Sequence, residues 1–345
     1  MRTLVISDLH LGNRARHDVL RLAEPRARLL DAAAGVDRLV LLGDTVELMT
    51  RRPRRSMAIA EPLLRELGRR LGAGREVVVV PGNHDASLIR PWALQRGELL
   101  GLDEQVPTTA TPLLREMTGW LAPAQVTVRY PGVWLADRVW ATHGHYLDRH
   151  LLPESALGLP RGRLRGGRAS PELPNGYELA RWRSRRRRAR RRSESLLPRL
   201  SERPIATVLE TTAEALRRTA LPRLPRLLMD ADLAPVTAAL IDAQMRHGSL
   251  SAMGQVVRRL GVQADWVVFG HVHRAGPLNG ERWPEAPDGT RLLNTGSWLF
   301  EPVLLDRATP PHPYWPGSAA LLEPARDPRV VGLLDGLDSG QLRGR

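Results

Sequence analysis

A chain of 345 residues with 42% hydrophobic content is long enough for one large core, or for a core with an inserted subdomain. It has no cysteine, which excludes thiolate nucleophiles, thiolate metal ligands and a disulfide scaffold and fits a reducing compartment. The net charge of +14 raises nucleic acid and anionic lipid as partners, but residues 161–200 hold 14 arginines against three glutamates (Glu172, Glu178, Glu194), so most of the excess is local.

All 51 basic residues are arginine, which reads as codon usage in a GC-rich bacterial genome. The opening residues 1–7 enter a strand pattern at once, so no export signal is expected. No apolar run approaches the roughly 18 residues needed to span a bilayer. The expectation is a cytoplasmic protein, with peripheral contact to an anionic membrane as the alternative.

Residues 3–7, 38–42 and 76–80 are apolar runs, each ending in a polar Gly/Asp/Asn loop, and helical patterns over 17–34 and 57–71 separate them. Strands buried on both faces and alternating with helices predict a βαβαβ beginning and a mainly parallel sheet. Shorter strands follow between 126 and 142, with Ala136-Asp137-Arg138 as a turn. After His150 the strand signal stops. Pro, Gly and Arg dominate to about residue 176, and helical patterns cover 178–195, 205–220, 233–247 and 250–260. Strand signal returns at 265–269, 291–294 and 298–305, with further strands at 319–323 and 330–333. The expected organisation is a catalytic domain of residues 1–150 and 261–305, a helical Arg-rich insertion of 151–260 acting as a lid, and a C-terminal extension of 306–345 that completes or flanks the core.

Ligand-type residues gather where the strands end, which is where open α/β sheets put their sites. Asp8 and His10 leave the first strand two residues apart and can reach one ion. Asp44, after Gly43, can give one oxygen to each of two cations. Asn83 can offer a neutral amide oxygen, and His84 and Asp85 supply an imidazole and a carboxylate able to orient it. His143 follows the strand at 139–142, and His271 and His273 follow 265–269, adding imidazoles suited to first-row transition metals.

These residues carry a resemblance. Asp8-Leu9-His10, Gly43-Asp44-Thr45-Val46-Glu47, Gly82-Asn83-His84-Asp85, Thr142-His143-Gly144-His145 and Gly270-His271-Val272-His273 resemble the five blocks of the calcineurin-like metallophosphoesterases. The resemblance implies an α/β fold, a four-layer α/β/β/α sandwich carrying a helical insertion. It implies two divalent metal ions, manganese first, with iron, zinc or nickel as alternatives. Asp8, His10 and His273 would hold one ion, Asn83, His143 and His271 the other, and Asp44 would bridge them. The implied reaction is hydrolysis of a phosphomonoester, phosphodiester or pyrophosphate by hydroxide generated between the metals. His84, oriented by Asp85, would stabilise the phosphoryl charge or protonate the leaving oxygen.

Loop residues beside these blocks are candidates for substrate contact: Asn13, Arg14, His145 and Arg149. The opening Ser7-Asp8-Leu9-His10-Leu11-Gly12 is similar to that of members that hydrolyse UDP-2,3-diacylglucosamine, although those have arginine where His84 follows Asn83. A phosphorylated small molecule or a lipid-linked substrate is therefore expected. The run of arginines over 181–192 could bind nucleic acid or anionic lipid, so a nucleic-acid-processing nuclease is the alternative function. A non-catalytic binding scaffold on the same fold is the second.

Overall fold

The computed structural model describes residues 1–13, 17–151, 171–181, 248–278, 280–286, 288–305 and 308–343. Strands β1 (Thr3–Ile6), β2 (Arg38–Leu42) and β3 (Glu76–Val80) are buried along their whole length apart from Glu76. Successive side chains serve two different cores, which is why their sequences read as continuous apolar runs. Leu4, Ile6, Leu39, Leu41, Val77 and Val79 join one cluster. That cluster also takes Leu29 and Leu30 of α1 (Ala23–Ala34), Leu63, Leu64 and Leu67 of α2 (Pro53–Leu71), and Leu114 and Met117 of Pro112–Trp120.

The alternate residues Val5, Val40, Leu42, Val78 and Val80 join a second cluster with Val133, Leu135, Ala141, Val268 and Leu293. These come from β5 (Gln125–Ala136), β6 (Val139–Thr142), β7 (Trp266–Phe269) and β8 (Arg291–Asn294). A third cluster joins Trp140, Val267, Phe269 and Leu292 to Leu250, Met253, Val256 and Val257 of the helix over 248–260.

The strands run in the order β10, β9, β1, β2, β3, β5, β6, β7, β8, and the short β4 (Asp103–Gln105) pairs with β5 off this path. Pairing is parallel from β1 to β5 and again from β6 to β8. Long β5 joins the two halves: residues 125–128 pair parallel with β3, and residues 132–136 pair antiparallel with β6. β9 (Ser318–Leu322) and β10 (Arg329–Gly332) add antiparallel strands on the free side of β1.

Two expected elements differ. The helix expected from residue 17 starts at Ala23, because Val19 N and Phe300 N bond to Trp298 O and His17 O and hold the preceding residues against the 298–300 loop. Residues 298–305 form no ladder strand. Their apolar side chains pack while Leu304 N and Leu305 N bond to Glu301 O, closing a helical turn that opens with Pro302. Expected helices over 205–220 and 233–247, most of 178–195, and the arginine-rich residues 182–192 lie outside the described residues. Among the described residues, no helix is long and apolar enough to cross a membrane.

Candidate metal centre

The loops leaving β1, β2, β3, β6 and β7 converge. Their backbones cross-bond: Asp8 N to Gly43 O at 3.1 Å, His10 N to Asp44 O at 2.8 Å, and Gly270 N to His143 O at 3.0 Å. Among the described residues, seven that are not glycine have positive φ, and five of them are Asp8 (55°), His10 (45°), Asp44 (52°), His271 (71°) and His273 (57°). Such a conformation costs a side-chain-bearing residue roughly 1 to 2 kcal/mol and clusters at functional sites. Two glycines let the loops close. A Cβ at Gly43 would sit 2.4 Å from the His143 ring, and one at Gly82 would sit 2.4 Å from Asp44 Oδ1.

Three groups of donors result, each with its ligand atoms within 4.8 Å of one another: Asp8, His10 and His273; His10, Asp44 and His84; and Asp44, His143 and His271. Asp44 and His10 each belong to two of them. In the first group His10 Nε2 faces His273 Nε2 at 3.3 Å, and Asp8 Oδ1 lies 3.3 Å from His273 Nε2 and 3.8 Å from His10 Nε2. Asp8 Oδ2 is occupied, accepting from the Ser7 hydroxyl and from His271 N. Among the described residues its buried Oδ1 has no hydrogen-bond partner, nor does His273 Nδ1.

In the third group His143 Nδ1 donates to Leu42 O at 3.0 Å, which turns Nε2 inward. That nitrogen faces two oxygen acceptors, Asn83 Oδ1 at 3.0 Å and Asp44 Oδ2 at 3.3 Å. His271 Nε2 pairs with Asp148 Oδ1 at 2.8 Å.

The electrostatics call for a cation. Burial opposes ionising Asp44, yet His143, His84 and His10 hold it well below the ordinary carboxylate range. Burial likewise opposes the charge on Asp8, but His143 and His273 bring it to about 2. Burial disfavours charging His143 too, and is outweighed by Asp44 and Asp8, which raise it to about 10. A buried imidazole that keeps its proton to that pH stands where positive charge is needed. An orphaned carboxylate oxygen, two opposed ring nitrogens and an inward Nε2 among oxygens form a donor set that suits divalent transition ions.

His84 lies at the edge, with Nε2 4.0 Å from Asp44 Oδ2. Its expected partner is replaced. Asp85 turns away, its oxygens accepting from Gly82 N at 2.6 Å and Thr45 N at 2.8 Å, so it braces two loops instead of orienting His84. Glu47 takes that place, with Oε2 2.7 Å from His84 Nδ1 and 3.3 Å from His10 Nδ1. Burial works against charging His84, but Asp44 and Glu47 prevail and raise it to about 9. Glu47 stands three residues after Asp44 in the second block, and that spacing is the one sequence signal for it.

Of the expected substrate contacts, Arg149 is committed elsewhere: it pairs with Glu172, donates to Gly176 O and stacks over Tyr177, anchoring the segment that enters the helix over 174–181. His145 is buried, and burial and Arg181 push it down to about 3. Its Nε2 is 3.7 Å from Glu178, and its ring lies 5.6 Å from that of His143. Asn13 bonds through its backbone N to His10 O at 2.9 Å, beside the first donor group. Arg14 lies outside the described residues.

A family model for calcineurin-like phosphoesterases matches residues 1–197, more than half of the chain, and the chain belongs to that family. Asp8, His10, Asp44, Asn83, His84 and His143 fall within the matched span; His271 and His273 fall beyond it. Metal-dependent phosphoester hydrolysis is the chemistry of the class, and among the described residues the His/Asp groups above could hold the metal. Among solved structures, a cold-active protein-tyrosine phosphatase of a psychrophilic Shewanella species is similar at 14% identity and a TM-score of 0.33, over 97% of this chain and 78% of that one. No curated protein matches the sequence.

Proposed function

We propose that the chain hydrolyses a phosphoester with two divalent ions, Asp8, His10 and His273 holding one, Asn83, His143 and His271 the other, and Asp44 shared between them. The observation that carries this reading is the position of Asp44 Oδ2, 3.7 Å from His10 Nε2 of the one set and 3.3 Å from His143 Nε2 of the other. When bound, such a pair supplies Lewis acidity toward phosphoryl oxygens and a water-derived nucleophile near neutral pH. Manganese is the leading candidate ion.

The chain's own residues supply the rest. Leu42 O fixes the His143 tautomer, Asp148 sets the His271 ring, and Ser7 and His271 N hold Asp8 so that Oδ1 points inward. His84, held by Glu47, carries a proton at Nε2 on the side of Asp44 and delivers it to the leaving oxygen. The three apolar clusters support a four-layer α/β/β/α order with residues 1–150 and 261–305 as its catalytic part.

The test is a matrix of apo protein reloaded with Mn²⁺, Fe²⁺, Zn²⁺, Ni²⁺ or Mg²⁺ against a monoester, a diester and a pyrophosphate. Turnover with at least one pair, abolished by chelation and restored by metal, is expected. In the active pairing His84→Ala keeps both ions and loses about two to four decades of rate on a poor leaving group, and less on an activated aryl ester. Equal losses on both esters would remove proton donation. Loss of metal would make His84 a ligand.

A further inference from the structure

Beside His84 the surface opens into a cleft of about 220 Å³ whose wall comes from four separate segments, Tyr130 of β5 among them. Met49 follows β2, residues 83–93 run from Asn83 into the helix opened by Arg90 (Arg90–Arg96), and Glu178 and Arg181 come from the helix over 174–181. Its lining combines apolar side chains, Met49 and Ile89 among them, with two guanidinium groups. Arg181 Nη2 donates to Asn83 O at 2.9 Å, which seats its cation against the loop that presents Asn83 and His84. Arg90 is exposed, lines the cleft, and forms no ion pair with a described residue.

Among the described residues, the one carboxylate on the wall is Glu178, which is buried and already accepts from the Tyr130 hydroxyl. Among the described lining residues, two guanidinium groups against one engaged carboxylate give a positive balance, apart from any charge on His84. Arginine is also the side chain whose planar fork matches a carboxylate or phosphate with paired donors. Arg181 opens the arginine run of residues 181–192, so at least the first residue of that run stands at the candidate site.

Resting on the hydrolase reading above, we propose that Arg90 and Arg181 recognise a second anionic group of the substrate, on the leaving-group side of the scissile ester. The substrate class is then a phosphoester whose leaving alcohol carries its own carboxylate or phosphate, with the apolar lining side chains receiving the carbon skeleton between the two charges. A neutral leaving group would fill the same space without engaging the guanidinium groups. Selectivity would therefore appear as a ratio between two otherwise matched esters.

The experiment compares phenyl phosphate with 4-carboxyphenyl phosphate on the manganese-loaded chain, by turnover and by calorimetric binding. Wild type is expected to favour the carboxylated ester by roughly tenfold or more, the scale of charge-assisted hydrogen bonds. Arg90→Gln should bring that ratio close to one, and Arg90→Lys should restore part of it. Arg181→Gln should also lower the ratio, with metal content measured to separate this from any disturbance of the Asn83 loop. A wild-type ratio near one, or a ratio unmoved by Arg90→Gln, overturns the proposal. A chain that binds the esters with the expected ratio but hydrolyses neither retains the anion site and counts against the hydrolase reading on monoesters.

Discussion

Replacing Glu47 by Gln tests the role of His84 through the carboxylate that holds it. Glu47 Oε2 touches both His84 Nδ1 and His10 Nδ1, so one oxygen orients two imidazoles. Burial resists charging His84, and the combined pull of Asp44 and Glu47 carries it from 6.5 to about 9. That rise corresponds to about 3 kcal/mol in favour of the imidazolium. Glu47 supplies two of the three pulls that raise it, a hydrogen bond and a charge, so the amide variant lowers the His84 pKa by on the order of one pH unit. A proton donor loses activity as pH rises through its pKa, so the alkaline limb of kcat/KM should move to lower pH by about that amount. Bound cations would lower His84 in both proteins, so the comparison is made between the two limbs at equal metal content.

At neutral pH the rate on phenyl phosphate should fall about tenfold, part of the usual contribution of a positioned acid. The assay is a pH profile at saturating manganese, with metal content measured on the same samples. An alkaline limb that stays put at full metal occupancy refutes the pairing as the source of acidity. Loss of metal with no shift of the limb places the role of Glu47 on His10.

Asp44→Asn should lose both ions and His273→Ala one, by metal analysis after dialysis; an Asp44→Asn protein that keeps two ions removes the bridge. Because His143 without metal holds its proton to about pH 10, metal binding must displace a proton. Affinity should therefore rise by up to about tenfold per pH unit between pH 6 and 9, and calorimetry in buffers of different ionisation enthalpy should register proton release; heats independent of buffer would contradict this. Gly43→Ala puts a methyl group 2.4 Å from the His143 ring at a φ of +85°. It should cost about 1 to 3 kcal/mol in chemical denaturation and weaken metal retention, and a variant of wild-type stability and metal content would show that the loop can yield.

The strands that carry the candidate site were legible because each is apolar on both faces, as at residues 38–42 and 76–80, and a polar loop follows immediately. Ligand types at those ends were legible for the same reason. Partner choice was not. Asp85 is adjacent to His84 in sequence, yet the turn points its carboxylate at the amides of Gly82 and Thr45, while Glu47 arrives from another loop. Arg149 looked available because its partner Glu172 lies 23 residues away across a segment with no strand signal. Residues 298–305 looked like a strand because burial, which they share with strands, was visible and the helical turn closed onto Glu301 O was not. The length of β5 was hidden because its two halves pair with different neighbours.

Five of the candidate ligands occupy backbone conformations that their own side chains disfavour. At Asp8, His10, Asp44, His271 and His273, the residue that would fold most comfortably is glycine, or in second place asparagine. Selection for a stable chain and selection for a working centre therefore pull in opposite directions at the same five codons. A library screened only for thermal tolerance in the absence of metal would drift there toward glycine and silence the site while improving its score. The same library screened with the ion present would not, because the ion stabilises only those chains that still supply its donors.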